Sequence, residues 1–279
     1  MHEPSYEGFD VAVSGSRGEL QLNRPEQLNP LSPRTLRDLA EAAGWFNQNP
    51  KVSVIVVSGK GRAFCAGADL TAFAGSSGAN AEGVRRDADA GRLMADAMEG
   101  LAAVTIAKLH GHCVGGGVVL AGACDLRVAA EGTKFSIPEV DLGIPLAWGG
   151  IPRLVRDIGP ALTKELVMTC RPFDATEARD AGFLNRVVPA AELDAIVEEL
   201  AAGLETKPKQ ALLATKRHTN AVVEQMVGTA RSWADADGLI AALSDAEGQA
   251  AAKRYLEWLR GGELGADVRS TGPAASARR

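Results

Sequence analysis

The chain has 279 residues, and its 30 Lys plus Arg against 35 Asp plus Glu leave a net charge of −5, which argues against a dedicated nucleic-acid binder. Hydrophobic residues at 46% and charged residues at 23% exclude wholesale disorder, and the length suits one large domain or two small ones. The polar start over residues 1–9 predicts no signal peptide, no apolar run reaches roughly 18 residues, and four scattered cysteines without a Cys-x-x-Cys fit a reducing cytoplasm.

Residues 9–22 alternate weakly and predict a hairpin that turns at Ser14-Gly15-Ser16. Ser32-Pro33 is an N-cap followed by a first-turn proline, and it predicts a helix carrying Leu36, Leu39, Ala40, Ala43 and Trp45-Phe46 at helical spacing. The continuous β-branched run over 52–57 predicts a strand buried on both faces. A Gly-rich loop over 59–67 leads into a helix near Asp69, and 74–84 reads as a mobile loop, either a lid or plain disorder. A second unit follows, with a strand at 104–109, a Gly-rich loop at 111–117 and a helix at 118–123. An offset of 50 residues relates Val54 to Val104, Gly61 to Gly111, Ala66 to Gly116, Gly67 to Gly117 and Leu70 to Leu120. That offset predicts a repeating strand–loop–helix unit in a stacked or spiral α/β core, the alternative being a coincidence between two Gly-rich loops. A third strand at 125–129 precedes a Gly- and Pro-rich loop over 135–150. Helical patterns then run over 160–170, 174–181, 190–204, 207–227, 230–243 and 245–260. The shift toward all-α predicts a core over 1–200, a helical subdomain over 201–260 and a disordered tail over 261–279.

The two Gly-rich loops are the first candidates for chemistry. A loop entering a helix presents unpaired N–H groups at the positive end of the helix dipole, and small residues let a ligand approach them. Ala66 and Gly116 stand at equivalent places in the repeat. Two such amides facing one another make an oxyanion hole, in which each donor contributes about 3 to 4 kcal/mol; the alternative is a pair of tight strand–helix turns. Gly115-Gly116-Gly117 matches neither a phosphate loop nor a dinucleotide fingerprint. Asp69 reads as the cap of the helix after it. His110 and His112 have no third ligand near them, so they read as strand-end residues and no metal site is predicted. Cys65 and Cys113 lack a base partner and read as inert core.

Phe64-Cys65-Ala66-Gly67-Ala68-Asp69 resembles the F-x-A-G-A-D loop of the crotonase family, the enoyl-CoA hydratases and isomerases. Gly115-Gly116-Gly117 with Leu120-Ala121 and Cys124-Asp125-Leu126 is similar to that family's second loop. Phe135 to Glu139, Leu142-Gly143-Ile144, Gly149-Gly150 and Arg153-Leu154 resemble its catalytic segment. Asn23-Arg24-Pro25 with Leu28-Asn29, and Ala175 to Gly182 before Val187-Val188-Pro189, complete a match from about residue 9 to residue 260.

The resemblance implies an α/β fold, a crotonase-like spiral of β-β-α turns, with C-terminal helices that pack subunits into trimers or pairs of trimers. It implies an acyl-CoA substrate whose thioester oxygen lies between the amides of Ala66 and Gly116, with coenzyme A as part of the substrate and no separate cofactor. Arg24, Ala68, Asp69, Leu70, Phe73 and Trp148 become candidate substrate or CoA contacts. Phe73, Met94, Met98 and Trp148 are either acyl pocket or core, Met94 and Met98 sharing one helix face. Lys207, Lys209, Lys216 and Arg217 are either CoA-phosphate contacts or a solvated helix face. Thr71 and Ala252 replace the Lys and Phe of many relatives, which implies a different adenine pocket.

Hydratases of the family use two glutamates. Glu139 stands at the second position, but Val119 occupies the first. One carboxylate suffices for a 1,3-proton shift that moves a double bond from the 3 to the 2 position, and this is the first expectation. An apolar Val119 also keeps water from that side of the site. The alternatives are a hydratase that recruits another acid, other chemistry through a thioester enolate, or a non-catalytic acyl-CoA binder. Asp141 is the candidate second acid, its other reading being a turn-capping side chain.

Overall fold

The computed structural model describes residues 3–75 and 80–261. Strand β1 (Phe9–Ser14) and β2 (Arg17–Leu22) form the antiparallel hairpin that the alternation predicts. Strand β2 then pairs in parallel with β3 (Val54–Gly59), β3 with β4 (Val104–Leu109), β4 with β6 (Leu126–Ala130), and β6 with β9 (Arg186–Val188). A smaller sheet joins β5 (His112–Val114), β7 (Lys134–Ser136) and β8 (Phe173–Asp174).

Every residue of β3 is buried, because the sheet is covered on both faces. The pleat divides the strand: Ile55 and Val57 join the larger core with Leu20, Leu36 and Ala107, whereas Val54 and Val56 join a second cluster with Ile106, Val128, Leu193 and Val197. Val54 pairs with Val104 and Val57 with Ala107, so the 50-residue offset in the sequence is the register of two adjacent strands. The chain climbs one strand per turn, adds a short strand to the second sheet, and returns through a helix. This is the β-β-α spiral.

Helix α1 (Pro33–Asn47) begins where Ser32 accepts a hydrogen bond from the Thr35 amide at 3.0 Å. The helices α2 (Leu70–Gly75), α3 (Ala81–Glu99), α4 (Gly116–Gly122), α5 (Gly150–Thr169), α6 (Ala175–Asp180), α7 (Leu193–Glu205), α8 (Lys209–Met226), α9 (Asp235–Ser244) and α10 (Ala246–Gly261) follow. Among the described residues, no helix is long and apolar enough to cross a membrane.

Four expectations need correction. Of the mobile loop expected over 74–84, residues 74–75 end α2 and 81–84 open α3, which Asn80 caps by accepting from the Gly83 amide at 2.9 Å, and residues 76–79 lie outside the described residues. Residues 135–136 belong to β7, a strand too short to show a period. Helix α5 starts at Gly150 rather than near 160, because Gly159, with a φ of 75°, breaks it and Pro160 opens a second piece. The subdomain edge expected at 200 falls inside α7, where Leu193, Val197 and Ala201 cover the sheet as one face. The tail expected over 261–279 lies, from residue 262 on, outside the described residues.

Candidate active site

The two Gly-rich loops leave the C-terminal ends of β3 and β4 and touch backbone to backbone. The Cys65 amide donates to His112 O at 3.1 Å, and the Val114 amide donates to Cys65 O at 3.0 Å. A Cβ on Gly67 would sit 2.7 Å from Val114 O and 3.4 Å from Gly116 N. Gly67 also has a φ of 88°, so both its conformation and its neighbours require glycine. Asn29, 1% exposed, steadies the first loop from below: its amide donates to the carbonyls of Lys60, Ala63 and Phe64.

The amide expected at Ala66 is already engaged. It donates to Leu28 O at 2.8 Å, so Ala66 cannot also serve an incoming oxygen, and that expectation is corrected. The next residues explain which amide is free. Leu31 donates to Gly67 O at 2.8 Å and accepts from the Asp69 amide at 2.9 Å, which turns the N–H of Ala68, between them, to the other side. Among the described hydrogen bonds neither Ala68 N–H nor Gly116 N–H has a protein acceptor, and Gly116 is the first residue of α4. The offset explains the slip. It is 50 in the large sheet, Val54 to Val104, but 48 at the isolated bridge between the two loops, Cys65 to Cys113. Counting 48 from Gly116 leads back to Ala68, not Ala66.

Each residue of the triple glycine makes room for something different. A Cβ on Gly115 would lie 2.5 Å from Glu139 Oε1, and one on Gly117 would lie 2.9 Å from Cys65 Cβ. A Cβ on Gly116 would overlap the ring of Trp148, and so would one on Gly91 of α3. Trp148 lies 6.0 Å from the Phe73 ring and is 7% exposed. Amide pair, carboxyl and indole are thus gathered around three consecutive residues.

Glu139 is held by a helical turn in which Leu142 donates to Pro138 O at 3.0 Å and Ile144 donates to Glu139 O at 2.9 Å. Its carboxyl is buried, its Oε2 has no hydrogen-bond partner, and burial pushes its pKa up to about 7. A carboxylate in that state is a base near neutral pH. Val119, 2% exposed, packs with Leu146 into the space that Gly150 leaves open: a Cβ there would meet both at 2.9 Å.

Asp141 is engaged with Cys170. Its amide rests on Cys170 Sγ at 3.4 Å. Arg24 donates to Asp69 Oδ2 at 3.2 Å and to Gln27 Oε1 at 2.6 Å. Asp69 also caps α2 as expected, accepting from the Ala72 amide at 3.0 Å. Ala68, Asp69, Leu70 and Phe73 stay half-exposed and form the lip of the site.

Several other candidates belong to the fold instead. Met94 and Met98 are fully buried core. Lys216 holds Ala103 O at 2.8 Å and Asp125 at 2.7 Å, and Lys209 holds Val52 O at 2.8 Å, so both cations are engaged within the chain. His110 Nε2 meets Gly61 O at 2.9 Å. Cys65 and Cys113 are buried in the core, where burial pushes both thiols up, Cys65 to about 12. Among the described residues, no group of His, Cys, Asp or Glu is arranged to hold a metal ion.

Residues 14–261 match the family described as Enoyl-CoA hydratase/isomerase. The chain is 36% identical to the peroxisomal Delta(3,5)-Delta(2,4)-dienoyl-CoA isomerase of Arabidopsis thaliana, over 84% of this chain and 90% of that protein. It is 34% identical to the crotonyl-CoA hydratase of Syntrophomonas wolfei, over 86% of this chain and 92% of that protein. Among solved structures, an enoyl-CoA hydratase/isomerase from Mycobacterium paratuberculosis superposes with a TM-score of 0.81 at 26% identity, over 89% of this chain and all of that one. The enoyl-CoA hydratase of Bacillus anthracis superposes with a TM-score of 0.72 at 32% identity, over 84% and 92% of the two chains. Spiral fold, interlocked glycine loops and sequence relatives agree, and the chain belongs to the crotonase family, an enoyl-CoA hydratase/isomerase that acts on acyl-CoA.

Proposed function

We propose that the enzyme moves the double bond of a 3-enoyl-CoA into conjugation with the thioester, using one carboxylate. The observation that carries this reading is the buried carboxyl of Glu139, its Oε2 without a hydrogen-bond partner, beside the free amides, with Val119 where a second acid would stand. The thioester oxygen accepts hydrogen bonds from Ala68 and Gly116, which makes the C2 protons more acidic. Ionised Glu139 takes one of them, and the charge spreads from the dienolate onto the held oxygen. The same carboxyl then returns its proton to C4, so the step is balanced without any cofactor. Val119 and Leu146 keep water from adding to the intermediate.

Arg24, Asp69, Leu70 and Phe73 contact the CoA arm and the acyl group in this reading, since Asp69, Leu70 and Phe73 follow the free Ala68 amide half-exposed and Arg24 pairs with Asp69. A homotrimer or a pair of trimers in the cytoplasm is part of the same proposal. The assembly is supported by the exposed apolar residues of the C-terminal part, among them Val222, Met226, Trp233 and Leu243.

The test is the ultraviolet absorbance of the conjugated enoyl thioester. Addition of enzyme to a 3-enoyl-CoA raises it; an unchanged signal with a range of 3-enoyl-CoAs, together with a falling signal from a 2-enoyl-CoA, makes the enzyme a hydratase. The base must be ionised, so kcat/KM climbs as pH rises through about 7, the pKa of the buried Glu139, and levels off above it. A limb near the ordinary value of 4.5 removes Glu139 from that role.

The hydratase reading keeps its support in relatives such as the crotonyl-CoA hydratase. Val119→Glu separates the two. It supplies the missing acid on α4, and 2-enoyl-CoA hydration rises at least tenfold in the variant if its absence sets the reaction. An unchanged hydration rate shows that Val119 is not what decides between them.

A further inference from the structure

Trp148 stands on a left-handed turn, with a φ of 62°, followed by Gly149 at 69°. A bulky residue keeps positive φ only where its surroundings over-determine it, and such positions cluster at ligand-binding sites. Gly149 is gripped through both its N–H and its carbonyl. The Gly149 N–H donates to Asp235 Oδ2 at 2.8 Å, and the Gly149 carbonyl accepts from Arg153 Nη1 at 3.1 Å. Asp235 is the first residue of α9, far along the chain. Arg153 is itself buried and paired with Asp96 at 3.0 Å and Glu99 at 2.5 Å. The turn therefore cannot relax, and it drives the indole into a slot between Gly91 and Gly116 that only glycine leaves open. Gly116 is also the residue whose amide awaits the thioester oxygen, so the ring borders the position of the first acyl carbons.

We propose that Trp148 is the specificity-determining residue of this site and that Asp235 is the positioning residue that holds it there. The ring occupies the space into which a branch or an aryl ring close to the thioester would extend, so the enzyme selects straight acyl groups. This rests on the acyl-CoA reading of the Ala68 and Gly116 amides.

The experiment measures affinity for two unreactive ligands, butanoyl-CoA and benzoyl-CoA, by calorimetry on the full chain. Wild type favours butanoyl-CoA by at least tenfold, the discrimination a hydrophobic wall provides. Trp148→Ala reduces that ratio tenfold or more. Asp235→Ala lowers it in the same direction and shifts the Trp148 emission, taken as the difference between proteins with and without Trp148→Phe, to the red. Asp235→Asn keeps an acceptor for Gly149 and restores the ratio. A folded Trp148→Ala protein with the wild-type ratio overturns the proposal. If Trp148→Ala does not fold, an unchanged ratio in Asp235→Ala overturns it equally, because a merely structural role lowers stability without moving the ratio. Wild type that binds neither ligand overturns the acyl-CoA reading and this inference with it; wild type that binds both equally overturns the inference alone.

Discussion

Glu139→Gln abolishes most turnover and at the same time makes the protein more stable at pH 8. The loss of activity is on the order of 10² to 10⁴-fold, the range a positioned general base supplies, while acyl-CoA affinity persists because the amide pair is intact. The gain in stability follows from burial. The folded carboxyl titrates at about 7 against an ordinary 4.5, so between those values the folded state binds more protons than the unfolded one. Stability is therefore full below about 4.5 and falls as pH rises toward 7, by about 3 kcal/mol for a shift of this size. Above 7 the native state holds a charge whose Oε2 has no hydrogen-bond partner. Gln removes that charge. Urea unfolding of both proteins at pH 5 and pH 8 checks the sign: the variant's advantage is large at pH 8 and much smaller at pH 5. A variant that is less stable at pH 8 would mean that the carboxylate has a cationic partner in solution. The base of this site thus opposes the stability of the fold, a conflict common where a group is kept poised to react.

Gly67→Ala lowers kcat/KM by about 10²-fold or more, although the residue touches no reacting atom. A side chain there must adopt a φ of 88° and place its Cβ 2.7 Å from Val114 O, a backbone atom that cannot step aside. The loop has to retreat from the Gly115-Gly116-Gly117 segment, and the Ala68 amide leaves its alignment with Gly116. Loss of one oxyanion donor accounts for about 10² to 10³ in rate. The backbone strain also lowers stability by roughly 1 to 3 kcal/mol, so a control for strain alone is needed. Gly132 provides it: its φ is 81°, and a Cβ there meets nothing within 4 Å. Gly132→Ala loses stability and keeps kcat/KM. Equal losses of activity in the two variants would show that strain, and not the amide pair, is what Gly67 protects.

Much of this architecture was legible in the chain because its signals are local or periodic. Ser32-Pro33 starts a helix where it stands, and the apolar run of β3 needs only the two covering layers to become a buried strand. The 50-residue offset foretold the register of β3 on β4, since adjacent turns of a spiral place equal steps of chain side by side. Other features were illegible for a common reason. Helix α3 begins twelve residues after Asp69 in a stretch rich in Gly and Ser, where composition suggests a loop and only the Asn80 cap marks a helix. Gly91 lies in no motif, and only the Trp148 ring packed against it shows why glycine stands there. Asp235 stands 86 residues from the turn it holds, in no motif that pointed there.

By itself, the sequence determined the family, the spiral, the placement of Glu139 and the apolar Val119, because each depends on residue identity at a position within a short motif. Only the tertiary structure decided that Ala68 rather than Ala66 offers its amide, that Asp141 meets Cys170, and that Trp148 borders Gly116. A free N–H is defined by what its neighbours already accept, and for Ala66 the acceptor is Leu28, a residue outside the motif that the folded loops bring to 2.8 Å.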